Sequence, residues 1–175
     1  MSAGEDQLLL FRSLFKGRRD VYAKRWEAKD KSGYAPAYDI DWSVYELHKA
    51  TGGTIKDYPH KTYSNINDGV IRGHLEGKEV IGIYPLLENN TSWFAAVDFD
   101  ENNWREEIAK LYEICMANQL SSYIERSRSG NGGHLWIFFE QPYSASKSRA
   151  IIKLLLKQVG IKAASNSSYD RIFPN

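Results

Sequence analysis

The segment WFAAVDFD (93–100) constrains this chain more than any other. It is a short run, apolar on both faces until its end, and it reads as a strand of a packed sheet. Successive strand side chains point to opposite faces, so Asp98 and Asp100 share one face, and Phe94 and Ala96 continue that face inward. The two acids therefore stand where the strand leaves the core. Two carboxylates that close repel, and ionising both is costly. A hard divalent cation relieves the repulsion, and oxygen ligands suit Mg²⁺ or Mn²⁺. An isolated Asp-x-Asp is more often a solvated strand end, so the pair takes its meaning from its surroundings.

Those surroundings read as α+β. Residues 6–16 place Leu8, Leu9, Phe11, Leu14 and Phe15 on one helical face, stopped by Gly17. DVYAKRWEAK (20–29) reads as a second helix. Residues 31–69 are rich in Gly, Pro, Asn, Asp and Tyr and read as loop with one short helix at 42–50. EVIGIYPLL reads as a strand ended by Pro85. After the acidic strand, Asn103 is a candidate cap with Glu106 three residues on. Trp104, Ile108, Leu111, Tyr112, Cys115 and Met116 form the buried stripe of the helix that follows. SSYIERSRS and HLWIFFE read as a hairpin joined by Gly130-Asn131-Gly132-Gly133. A last helix spans 146–159 and closes at Gly160. The expectation is a single domain over 1–175 with a largely antiparallel sheet and helices packed on one side. It divides into a helical N-terminal segment (1–30), a loop-rich segment (31–75) and a core (76–175).

Composition narrows the classes. Apolar residues make up 42% and charged residues 26%, enough for a core and for solubility. No run approaches the roughly 18 apolar residues of a membrane helix. The acidic start followed by Arg and Lys is the reverse of a secretory signal, so the expected compartment is the cytoplasm. One cysteine, Cys115, excludes an internal disulfide framework and a Cys-rich zinc site, and its helix position suggests inert packing. Gly-x-x-x-x-Gly-Lys and Gly-x-Ser-x-Gly are both absent. His48, His60 and His74 lack metal-ligand spacing.

Ser127 to His134 is a second chemical feature. Its turn offers backbone N–H groups, the Ser129 hydroxyl and the His134 imidazole beside Arg126 and Arg128, a set suited to phosphate. The plainer reading is a glycine hairpin. Asp170-Arg171 is a turn pair unless the fold brings it to Asp98. Net charge is +1 overall but +4 across residues 16–25, leaving −3 elsewhere. Lys16, Arg18, Arg19, Lys24 and Arg25 are interleaved with Tyr22 and followed by Trp26, an arrangement suited to a nucleic-acid strand. Arg149, Lys153 and Lys157 form a second basic stripe at four-residue spacing. For each patch alone, a solvated face is the commoner outcome.

Taken together, LFRSLFKGRRDVYAKRW, GYAP, VIRGHLEGKEVIGIYPLL, WFAAVDFD, ERSRSGNGGHLWIFFE and SYDRIFPN resemble, in order, the blocks of the archaeo-eukaryotic primase superfamily. They look most like the primase domain of TOTE conflict systems and the related CRISPR-associated primase-polymerases. The resemblance implies an RRM-like catalytic core and template-directed nucleotide addition by primer synthesis or extension. It implies that Asp98, Asp100 and Asp170 hold two Mg²⁺ or Mn²⁺ ions. It further implies that His134, with Arg126, Arg128, Ser129, Gly130, Asn131 and Gly133, meets the incoming triphosphate. The implied partners are a DNA or RNA template or primer and nucleoside triphosphates, with a helicase or defence-system protein alongside and no membrane. The family's second motif is usually Ser-x-His. Gly132 stands in the Ser position here, so Ser129 would supply the hydroxyl. Relatives often carry zinc cysteines that residues 35–73 lack, so no zinc is expected. The chain stops just after the third motif, so the core is expected to be shortened at its C-terminus. Rival readings are a non-catalytic single-strand-binding module and a metal-dependent nuclease; a nuclease needs no triphosphate pocket.

Overall fold

A computed structural model describes residues 4–29, 31–100, 103–161 and 169–175. These fall in two compact units, one containing residues 4–10 and 18–84, the other 11–17 and 85–175.

In the first unit, β1 (Ala23–Ala28) lies between β2 (Lys31–Pro36) and the short β5 (Ile81–Gly82), all antiparallel. β3 (Tyr38–Asp39) pairs with β4 (Thr62–Tyr63). The helices α2 (Trp42–Ala50) and α3 (Asp68–Leu75) are capped by the Asp41 and Asn67 side chains. Tyr22, Ala37 and Ile81 form the small core, with Ile66 and Val70 against it.

Residues 20–29 are therefore not a helix. Over so short a run helical and strand periods are hard to tell apart, and the full ladder with KSGYAP, from Ala23↔Pro36 to Ala28↔Lys31, decides the outcome. Arg25 and Glu27, two apart and so on one strand face, pair at 2.9 Å. Among the described residues of the N-terminal region, helix is confined to α1 (Glu5–Leu14). The expected helix at 42–50 is present. The EVIGIYPLL strand shrinks to Ile81–Gly82, the two residues that find partners on β1.

The second unit is built on one antiparallel sheet in the order β7 (Tyr123–Arg126), β8 (Gly132–Ser144), β6 (Thr91–Asp100), β9 (Tyr169–Phe173). Helices α4 (Trp104–Ala117) and α5 (Ala145–Gln158) pack on one face. Ala95, Val97, Phe99, Leu135, Ile137 and Ile172 point toward them and meet Ile108, Leu111, Cys115, Ile152, Leu155 and Leu156. The predicted stripe of α4 holds except at Met116, which is 50% exposed. Asn103 precedes α4 in a left-handed conformation (φ 68°) and makes no side-chain cap, so the capping box does not form. Cys115 is buried, and burial raises its thiol pKa, in keeping with packing alone.

The other face of the sheet carries the opposite side chains. Phe94, Trp136 and Phe138 form an aromatic cluster closed by Phe15, whose ring lies 5.1 Å from Trp136. At the end of this face stand Asp98 and His134. Arg149 on α5, expected in a basic stripe, instead donates to the Ile172 and Pro174 carbonyls at 2.6 and 2.8 Å and ties β9 to the helix.

Candidate active site

Three strands converge on one cluster. Asp98 and Asp100 leave the end of β6, His134 opposes Asp98 across β8, and Arg171 opposes Asp98 across β9. Strict alternation would send Asp170 to the helix side, because its neighbour Arg171 already faces the acids. The β6–β9 register slips between Asp98 and Phe99, where Phe99 pairs with Tyr169, so Asp170 is the extra residue of a bulge. A bulge re-aims one side chain without ending the pairing. Asp98, Asp100 and Asp170 thereby offer carboxylate oxygens that all lie within 4.8 Å of one another.

Electrostatics follow from this crowding. Burial, then the Asp98 and Asp170 charges, raise the Asp100 carboxyl above its ordinary value. Two cations offset part of the charge. Arg171 Nε pairs with Asp170 and lies 4.0 Å from Asp98. His134 Nε2 is 3.3 Å from Asp98 Oδ1, and its Nδ1 is 3.2 Å from Glu125 Oε2. The hydrogen bond to Asp98 first, and that to Glu125 second, push the His134 pKa up to about 9. Three carboxylates against two cations leave excess negative charge among oxygen-only donors, which fits a hard divalent cation.

The hairpin differs from its expected form. The turn runs over 127–131, with Gly130 alone at positive φ (79°), while Gly132 and Gly133 belong to β8. Three of its N–H groups are used locally: Ser127 to Gly132 O, Gly130 to Ser127 O and Asn131 to Ser129 Oγ. What the turn leaves to be offered outward is therefore more side chain than amide. Ser129 Oγ also lies 3.2 Å from Ser127 Oγ. Gly132 is closed to any side chain, since a Cβ there would lie 2.4 Å from the Phe99 carbonyl and 2.7 Å from Asp100 Oδ1. Gly133 is a packing residue: a Cβ would lie 2.6 Å from the Trp104 ring.

Beside Asp100 opens a cleft of about 1000 Å³ lined by Asn103, Trp104, Arg105 and Glu106 from one side and Arg126, Gly130 and Asn131 from the other. Sequence reasoning found Arg126, Gly130 and Asn131 but missed Arg105, Glu125 and Arg171. Arg171 had a signal, its adjacency to Asp170. Glu125 had none, because its partners lie across a strand.

Of the basic segment at 16–25, Lys16 belongs to the second unit, its Nζ 4.1 Å from the Trp93 ring centre. The rest belongs to the first unit. Arg18 pairs with Asp20, Lys24 with Glu79 at 2.9 Å and Arg25 with Glu27. Arg19 is exposed. Tyr22 is 7% exposed, so its ring is core and offers no stacking surface, whereas Trp26 is 43% exposed.

The family model for the TOTE conflict system, Archaeo-Eukaryotic Primase domain, matches residues 6–175. The chain belongs to that family. No curated protein matches the chain. Membership in this primase family agrees with the α+β fold and its antiparallel sheets. It gives the domain a primase-like, nucleotidyltransferase-like character, in a family that typically works with divalent metals. No helix among the described residues is long and apolar enough to cross a membrane.

Proposed function

We propose that this primase-family domain adds nucleotides to a 3′-hydroxyl under the direction of a nucleic-acid template, by primer synthesis or primer extension. The observation that carries the reading is the approach of Asp98, Asp100 and Asp170 to within 4.8 Å, next to a cationic His134. These acids would hold Mg²⁺ or Mn²⁺, which when bound lowers the pKa of the attacking hydroxyl and steadies the leaving pyrophosphate.

The remaining roles belong to the chain itself. His134 presents an N–H cation at the edge of the acidic cluster, suited to a phosphate oxygen. Arg126, with Gly130 and Asn131, walls the cleft beside Asp100, and Arg105 faces them from α4. With Arg128 and the Ser129 hydroxyl they would steer the triphosphate. Most of the catalytic advantage in such phosphoryl transfer comes from positioning and charge neutralisation. Lys16, Arg18, Arg19, Lys24 and Arg25 would track the template or primer backbone, with Trp26 as a stacking surface.

The test is to incubate the chain with a primed DNA or RNA template, labelled nucleotides and Mn²⁺. Extension that is lost in Asp98→Ala supports the reading. Retained template binding with no extension, under conditions where the fold is intact, overturns it in favour of a binding module.

A further inference from the structure

We propose that Glu125 is a positioning residue for His134, acting on the triphosphate through that ring rather than by touching it. The proposal rests on the reading of His134 as a phosphate contact. Glu125 and His134 are register partners across β7 and β8, so their side chains share a face. A single oxygen, Glu125 Oε2, accepts from Trp136 Nε1–H at 2.8 Å and lies 3.2 Å from His134 Nδ1. An ionised carboxylate has no proton to give, so Nδ1 carries the hydrogen. The other ring nitrogen lies 3.3 Å from Asp98 Oδ1. The imidazole is thus strung between carboxylates on the two strands that flank β8.

Left free, an imidazole turns about a broad terminal torsion. Held at Nδ1 by Glu125, the ring has its one remaining donor, Nε2–H, aimed at the acidic edge, where Asp98 Oδ1 or a phosphate oxygen can accept it. The bond from Trp136 matters because Glu125 sits on an edge strand with a side chain 56% exposed, where an untethered carboxylate would sample several rotamers. Trp136 is itself fixed, packed edge-on against Phe15 and 5.7 Å from the His134 ring. Orientation is therefore handed from the aromatic cluster to Trp136, to Glu125, to His134. Glu125 contributes nothing to the apolar core, which lies on the opposite face of the sheet.

The experiment measures equilibrium affinity for dATP with Mg²⁺ in the wild type, Glu125→Ala, Glu125→Gln, His134→Ala and the Glu125→Ala/His134→Ala double variant, with crystal structures of the two Glu125 variants. Glu125→Ala is expected to weaken binding about tenfold, as loss of a ring-orienting partner typically does. Glu125→Gln restores most of it, because the amide oxygen accepts the same two N–H groups. The double variant loses no more than His134→Ala alone, and the His134 ring turns away from Asp98 only in Glu125→Ala. Wild-type affinity in Glu125→Ala while His134→Ala is impaired overturns the proposal, as does a Gln variant as damaged as the Ala variant. Should His134→Ala leave dATP affinity unchanged, the phosphate role of His134 fails. The variant structures then decide: an unmoved ring in Glu125→Ala overturns the positioning role, and a displaced one upholds it.

Discussion

Asp98 and His134 are directly opposed residues of β6 and β8, and 3.3 Å separates the carboxylate Oδ1 from the imidazole Nε2. A primary acid of the cluster and its nearest cation are thus set by sheet register. The ionisation of His134 is consequently coupled to folding.

That coupling makes stability depend on pH in a fixed direction. A histidine whose folded pKa exceeds its unfolded value contributes fully below the unfolded value of 6.5 and loses its contribution as pH rises through about 9. The raised Asp100 carboxyl has the same sign at the acidic end, since its protonated form is the one the folded site favours. In chelator, the melting temperature should fall between pH 6.5 and 9.5. The linkage is worth roughly 1–2 kcal/mol after screening of the partly exposed pair, or about 2–8 °C for a chain of this size. His134→Gln should flatten the slope. An equally steep slope in that variant would show that other groups cause it.

Divalent ions should raise the melting temperature by binding the folded state alone, by about 2.7 kcal/mol of stabilisation at a hundredfold excess over Kd. Asp98→Ala, Asp100→Ala and Asp170→Ala should each abolish the rise. Asp100→Asn should stabilise the metal-free protein, because it removes a charge that burial and two neighbours disfavour. A normal Mn²⁺-induced rise in Asp170→Ala would remove that residue from the cluster's function.

Gly132→Ser, which would restore the common Ser-x-His spelling, should damage the protein rather than improve it. Its Cβ would meet the Phe99 carbonyl at 2.4 Å, and backbone cannot swing aside as a side-chain end can. Overpacking of this kind costs about 1–3 kcal/mol or more. Thermal unfolding of the variant checks this, and an unchanged melting temperature would contradict the geometry.

Template binding should weaken with salt, and unequally by residue. Lys24 and Arg25 are already paired to Glu79 and Glu27, whereas among the described residues Lys16 and Arg19 have no acidic partner. Lys16→Ala and Arg19→Ala should each lower the logarithmic salt slope by about 0.7–0.9, the release expected per phosphate contact. Lys24→Ala should change it less. Equal effects from all three would mean that the ion pairs open on binding.

The sequence announced the acidic strand because period-two alternation is strict there, and Asp98, Asp100, Phe94 and Ala96 indeed share a face. Helix α4 was legible from its apolar stripe, and α5 was placed to within a residue, closed by Gly160. DVYAKRWEAK was not, since Tyr22 and Ala23 become core only once Pro36 and Gly82 arrive from distant segments. The hairpin was placed correctly but its turn was not, because Gly132 and Gly133 serve close approach by Asp100 and Trp104 rather than chain reversal. Glu125 was invisible, as two ring donors from another strand give it its place.

The bulge at Asp170 has a consequence for how such a chain tolerates change. The third acid reaches its companions by residue count, since one extra residue between the Tyr169 and Arg171 pairings puts it on their side. Deleting Tyr169, which alters no charge, would draw Asp170 into regular pairing opposite Phe99 and carry its carboxylate to the opposite surface of the sheet. Loss of that one neutral neighbour is therefore as decisive as loss of the acid itself.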